Sequence, residues 1–191
     1  MRDFSFFLRC HPLSNILGET EKEREENMQI RTATIEDIEA LAEVEKECFP
    51  TAEAASKEEI GDRVAHYANH FWLLFEEEKL VGFLDGMVTN EPDLKDEMYA
   101  NAAMHDENGK WQMIFGVNTI PAYRRRGLAA RLIERAIEDA RAQGRQGLVL
   151  TCKEKLIHYY AKFGFQNEGI SQSVHGNVVW YQMRLTFTQC P

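Results

Sequence analysis

The sequence predicts an α+β domain, a sheet with helices packed against it, from three observations. Two apolar runs, Phe71–Phe75 and Leu80–Leu84, flank the polar Glu76–Lys79 and read as a hairpin. A strand over Trp111–Ile120 stops at Pro121 and turns into an amphipathic helix running to about Gln143. A further strand, a helix and a closing strand pair follow, so the two kinds of element alternate along one chain.

Taken in order, Met28–Ala33 begins a strand. Thr34 with Asp37 three residues on opens a helix whose apolar face is Ile35, Ile38, Leu41, Ala42 and Val44, ending before Phe49-Pro50. Ser56 and Glu59 form a capping box for a second helix through about Tyr67, and the hairpin follows. Residues 90–110 are polar and read as a loop too long to be a mere connector. After the strand at 111–120, the long helix carries Leu128, Leu132, Ile133, Ala136, Ile137 and Ala140 on one face, with Gly144 just past its end. Gly147–Cys152 is a strand, Lys155 to about Phe163 a helix, and a strand pair closes across His175-Gly176-Asn177, with Val178–Leu185 last.

Composition narrows the function. The chain has 191 residues, 44% hydrophobic and 28% charged, which is ordinary for one core at this length. Mean hydropathy is -0.44 and the mass 22.1 kDa. With 22 Lys+Arg against 31 Asp+Glu the net charge is -9, a poor balance for gripping a nucleic-acid backbone. The four cysteines (Cys10, Cys48, Cys152, Cys190) are far apart and make no CxxC pair, which predicts no metal site and no disulfide scaffold and suits the reducing cytoplasm. No apolar run reaches the roughly 20 residues of a membrane span, and the N-terminus lacks the pattern of a secretory signal. Residues 1–27 differ from the rest. They end in the charged Glu19–Asn27 without apolar periodicity, and the core domain is expected over 28–187. Two readings stand for the extension: Met28 is the true start, or 1–27 is a loosely docked tail.

The stretch that carries chemistry is Pro121-Ala122-Tyr123-Arg124-Arg125-Arg126-Gly127-Leu128-Ala129-Ala130, between strand and long helix. A helix leaves its first N–H groups unpaired and pointing one way, and Gly127 and Ala129 remove side chains that would block an anion from them. Arginines in that place oppose the helix dipole unless an anion offsets them. The segment reads as a pyrophosphate cradle formed by the amides of about Arg125 to Ala130, with Arg124, Arg125 and Arg126 adding charge. It has neither the GK[ST] of a Walker loop nor GxGxxG.

Arg124-x-x-Gly127-x-Ala129 resembles the acetyl-CoA motif [Q/R]xxGx[G/A] of the GNAT N-acetyltransferases, and the element order over about 28–187 is similar throughout. Within that superfamily, Cys48–Ser56 and the run from Leu150–Glu154 to Tyr160-Ala161-Lys162-Phe163-Gly164-Phe165 resemble the arylalkylamine (serotonin) branch of microbial type. The resemblance implies a GNAT fold: a mixed, mostly antiparallel sheet, splayed between its fourth and fifth strands, with helices on both faces. It implies acetyl-CoA as co-substrate, no metal, and direct acetyl transfer to the primary amine of a small molecule in a ternary complex, by a monomer or homodimer. It also implies that Tyr160 protonates the departing thiolate, as a phenol within reach of that sulfur could, with Tyr159 as an adjacent control. Backbone groups of Val117, Asn118 and Thr119 would hold the pantetheine arm, Val117 N–H binding the thioester oxygen. Gly116 marks the bulge that splays the strand.

One departure matters. The animal enzymes carry two histidines where this chain has Met113 and Phe115, so the amine's proton needs another taker. Glu53 is the first candidate and His175 the second, each with an alternative as an ordinary helix-entry or turn residue; a water chain along the splay is a third route. Phe49, Pro50, Met113 and Phe115 would line an apolar mouth for an arylalkylamine, or equally belong to the core. His66, His70, His105 and His158 have no partner that the sequence names, and Cys152 reads as a packed thiol. The rivals are a polyamine acetylase using the acidic residues 91–107, a protein N-terminal acetylase, and an acyl-CoA-binding sensor without turnover.

Overall fold

The structure, a computed structural model, describes residues 27–188; residues 1–26, and with them most of the predicted extension, lie outside the described residues, as do Cys10 and Cys190. The described residues form nine strands and five α-helices, with short 3-10 turns between them. The strands are β1 (Met28–Thr32), β2 (Phe71–Glu76), β3 (Lys79–Asp85), β4 (Val88–Thr89), β5 (Trp111–Ile114), β6 (Gly116–Thr119), β7 (Gly147–Cys152), β8 (Gln166–Ile170) and β9 (Tyr181–Thr186). The helices are α1 (Ile38–Cys48), α2 (Lys57–Tyr67), α3 (Glu97–Ala100), α4 (Leu128–Ala142) and α5 (Ile157–Ala161).

Two sheets result, ordered β1-β2-β3-β6 and β4-β5-β7-β9-β8. Every pairing is antiparallel except β5 with β7. The sheets are continuous through two chain segments that change allegiance. β3 passes through Gly86-Met87 into β4, and β5 passes through Phe115 into β6. At that crossing the two segments press together: a Cβ on Gly86 would stand 1.8 Å from the Met113 carbonyl oxygen, so only glycine fits.

The predicted strand 111–120 is therefore two strands. Its first half pairs with β7, Trp111 opposite Gly147 through Ile114 opposite Leu150. Its second half pairs only with β3, Gly116 opposite Asp85 through Thr119 opposite Gly82. Past Leu150, β7 has only β9 beside it. The sheet splits into a V at Phe115, one residue before the predicted bulge at Gly116.

Local chemistry explains most boundaries. The predicted capping box at Ser56/Glu59 forms, and the predicted N-cap at Thr34 with Asp37 is a capping box as well. The box at Thr34 leads into a 3-10 turn (Ile35–Asp37) before α1 begins at Ile38. α4 buries Leu128, Leu132, Ile133, Ala136 and Ala140, and full burial of a large apolar side chain stabilises by about 1.5–3 kcal/mol. It ends in a Schellman motif, with Gly144 at φ 74, Arg145 N–H on Ala140 O and Gly144 N–H on Arg141 O, both 3.0 Å.

Three expectations need correction. The long loop 90–110 contains α3 and a 3-10 turn, and β4 precedes it; elements of two to four residues are too short to show a period. The helix expected over Lys155–Phe163 is reduced to a 3-10 turn and the five-residue α5. The last strand starts at Tyr181, not Val178, because His175–Asn177 forms a turn and Trp180 donates back to the His175 carbonyl at 2.8 Å. Among the described residues no helix is long and apolar enough to cross a membrane.

Candidate active site

The V has a backbone edge on one side and a helix N-terminus at its end. Ile120 N–H donates to Val81 O at 3.0 Å, and antiparallel ladders alternate. Asn118 therefore bonds toward β3, while Val117 and Thr119 turn their N–H and C=O groups away from it, into the split. Thr119 does not keep its carbonyl free: Arg124 Nε donates to it at 3.0 Å and the same guanidinium reaches Cys48 O at 3.4 Å. Arg124 thus braces the end of α1 against β6. The Asn118 side chain is buried, facing α1.

At the head of α4, Arg125 (φ 65) and Gly127 (φ 78) are left-handed with Arg126 between them. Alternation of this kind turns successive N–H groups to one concave side. Gly127 is the N-cap, and among the described residues no side chain caps it and no acid stands in the first turn. Nothing lies within 4 Å of where its Cβ would be. Arg126 donates to Ala122 O at 3.1 Å and stacks on Tyr123; Arg125 is exposed. Leu128 points its side chain into the core, and Ala129 and Ala130 stay half-buried. Unpaired amides, no competing carboxylate and open space before a glycine suit a diphosphate.

On the other side of the split lies a cavity of about 80 Å³. Phe49, Glu53, Phe115 and His175, four of the residues singled out in the sequence, line it together with Gly116. Glu53 Oε1 takes a 2.7 Å ion pair from Lys153, and its buried Oε2 has no partner among the described residues. His175 Nε2 bonds the Glu53 carbonyl oxygen at 3.1 Å and its ring stacks on Tyr99 at 4.9 Å. A Cβ on Gly176 would come within 2.6 Å of Glu53 Cγ, so the loop before β9 closes directly on that glutamate. Met113 stands elsewhere. It is fully buried in the core, as alternate residues of a central strand are, and leaves the mouth to its neighbours. Pro50 is exposed, its carbonyl accepting from Glu53 and Ala54 N–H, and is not among the lining residues.

Tyr160 is apart from this cavity. Thr151 lines the cavity and its successor Cys152 faces the opposite side of β7, where Tyr160 packs. Burial, then the nearby Cys152 and Tyr159, raise the Tyr160 phenol well above its ordinary value. It stays a proton donor at neutral pH. Tyr159 is half-buried, edge-on to Tyr160 and Phe163. Burial also pushes the Cys152 thiol up to about 11, which fits a packed thiol.

The sequence reading missed the polar floor of the cavity. Glu45 of α1, Arg63 of α2 and Asp85 of β3 are all buried there. Arg63 pairs with Asp85 at 3.1 Å, donates to Tyr99 O at 2.8 Å and lies over the Phe115 ring. Glu45 accepts from Ala55 N–H at 3.0 Å. A signal for them existed. Glu45 falls four residues after Leu41, and Arg63 lies between Ile60 and Tyr67, so both charges sit on the apolar stripes of their helices.

Comparison with known proteins gives the same outline. Residues 38–165 match the model of the acetyltransferase (GNAT) family. A probable glucosamine 6-phosphate N-acetyltransferase 2 of rice (Oryza sativa subsp. japonica) is 37% identical over 54 residues, 28% of this chain and 32% of that one. The match thus spans about a third of that curated relative's length. The fold is similar to a GphF GNAT-like decarboxylase in complex with isobutyryl-CoA (TM-score 0.72, 21% identity, 83% of this chain and 98% of that one). It is also similar to the PaiA N-acetyltransferase of Thermoplasma acidophilum in complex with coenzyme A (TM-score 0.63, 18% identity, 84% and 99%).

Proposed function

The chain belongs to the acetyltransferase (GNAT) family, and on that premise we propose that it moves an acetyl group from acetyl-CoA to the primary amine of a small molecule, by direct attack in a ternary complex. One observation carries the choice of acceptor. The cavity behind the split is walled by Phe49, Phe115, Tyr99 and Trp180 and holds Glu45, Glu53, Glu59 and Asp85 against Arg63, Lys153 being outside the lining. Carboxylates with aromatic faces attract an ammonium. Arg63 is committed to Asp85, which leaves no free cation in the lining for the phosphate of an amino sugar or the carboxylate of a larger acyl group.

In this reading the amides of Arg125 to Ala130 hold the diphosphate of acetyl-CoA, and Val117, Asn118 and Thr119 flank its arm from β6. Val117 N–H, turned into the split, stabilises the oxyanion. Tyr160, on the far side of β7 from the amine, gives its proton to the leaving thiolate. Phe49 and Phe115 contact the acceptor, an arylalkylamine. A polyamine is the second reading, favoured by the number of carboxylates.

The test is CoA release on mixing the protein with acetyl-CoA and tryptamine, phenethylamine, spermidine or a short peptide. Release with an aromatic amine is expected. Saturable acetyl-CoA uptake without release on any amine would leave a sensor. Uptake indifferent to Gly127→Val would remove the cradle.

A further inference from the structure

We infer that Glu45, near the end of α1, is the base that takes the ammonium proton of the acceptor. The inference rests on the acetyl-transfer reading and supplies a step that reading lacks. An alkylammonium, with a pKa of about 10, cannot attack a thioester until it loses a proton. Of the two candidates from the sequence, Glu53 already has a cation, Lys153 at Oε1, although its Oε2 is unpartnered among the described residues, and the His175 ring is held by Nε2 on the Glu53 carbonyl and by stacking on Tyr99.

Glu45 is placed differently. It is 6% exposed and forms part of the cavity wall, as does Gly116, the residue before the proposed oxyanion donor. The groups facing it are Asp85 from β3, Arg63 from α2, the Asn118 amide from β6, the Ala55 N–H, and Cys48 of its own helix. Across the cavity stand Glu53, Glu59 and His175. Asp85 and Arg63 pair with each other. Glu45 is therefore a buried carboxylate without a cation of its own, and an entering ammonium would supply that cation.

Burial, and next the charge of Asp85, raise the Glu45 carboxyl to about 7, against the opposing effects of Ala55 N–H, Arg63 and Asn118. A base at that value is ionised often enough to accept a proton near neutrality and basic enough to hold it. The proton count closes. One ammonium proton passes to Glu45 and then to solvent. The amine lone pair forms the C–N bond, the C–S bond breaks, and Tyr160 protonates the thiolate. The second proton lost by the nitrogen restores Tyr160, leaving an amide, CoA thiol and one released proton.

The experiment measures kcat/KM against pH for the wild type, Glu45→Gln and Glu45→Asp, with the fastest amine among tryptamine, phenethylamine and spermidine, alongside acetyl-CoA binding. In the wild type, kcat/KM should fall below a pH of about 7. Glu45→Gln should bind acetyl-CoA as before, lose at least a hundredfold in kcat/KM, and lose that acid limb. Glu45→Asp should keep the limb at a reduced rate, and it answers the question alone if the glutamine variant does not fold. Turnover by Glu45→Gln within threefold of wild type, an acid limb that Glu45→Gln retains, or Glu45→Asp turning over at the wild-type rate overturns the proposal only. A wild type that releases CoA with no amine overturns acetyl transfer as well.

Discussion

Two clusters of buried polar side chains stand at opposite ends of the β5–β6 strand, and they are finished differently. Near Trp111, the Gln112 amide donates to Met87 O and Met113 O at 3.1 and 2.9 Å, and its oxygen meets His70 Nδ1 at 2.8 Å. His70 Nε2 and His105 Nε2 both reach Glu107 Oε2, at 2.9 and 3.3 Å, and Arg145 takes the other oxygen at 2.6 Å. Near Gly116, by contrast, Arg63 Nε and Glu53 Oε2 are buried without hydrogen-bond partners among the described residues. Buried polar groups are normally matched. A completed cluster is a strut. An incomplete one points to a partner that is not part of the chain, and here it lies where an amine is proposed to enter.

The comparison can be broken from either side. The largest effect belongs to the completed cluster. Gln112→Leu takes a partner from Met113 O and from His70 Nδ1, while Met87 O keeps the Met113 N–H at 2.7 Å, and should cost about 2–6 kcal/mol in urea unfolding at about one to three kcal/mol per orphaned group. The kcat of the remaining folded enzyme should hardly change; a lowered kcat at intact stability would erase the distinction. Tyr160→Phe should do the reverse. It should lower kcat more than tenfold, or about 1.4 kcal/mol, with little change in acetyl-CoA KM, and an unchanged kcat would remove the phenol from the reaction. The smallest effect concerns Glu107. Burial disfavours its charge, but the His70 hydrogen bond and charge, then Asn69 and Arg145, outweigh it and hold the carboxyl at about 2. Its contribution is present above the ordinary value near 4.5 and fades as pH falls toward 2. Because the side chain is half exposed, Glu107→Gln should cost at most about 1 kcal/mol at pH 7 and progressively less as the pH falls toward 2.

How much of this was legible varied with range. The caps at Thr34 and Ser56, the hairpin and the head of α4 are short-range features, written in neighbouring residues, and the sequence read them. The splay was read from the resemblance and from Gly116, and only its position moves, by one residue to Phe115, because that depends on which strands lie on either side. The cavity floor was missed although its sign was present: Glu45 and Arg63 interrupt apolar helical faces, and a charge there has meaning only once the opposing face is known. Glu53 was found by resemblance, but its ion pair joins it to a residue 100 positions away. Met113 shows the opposite failure, a strand residue read as mouth that the packing places wholly inside.

Because β5 and β6 are joined through the single residue Phe115 but belong to different sheets, the aperture of the V depends on how those sheets lean on each other as well as on the residues that line it. Exchanges of bulk in the core beneath β2 or β9 act on that lean through packing, at a distance from cradle and floor. The width of a cleft is in this way a property of the whole core and not only of its rim.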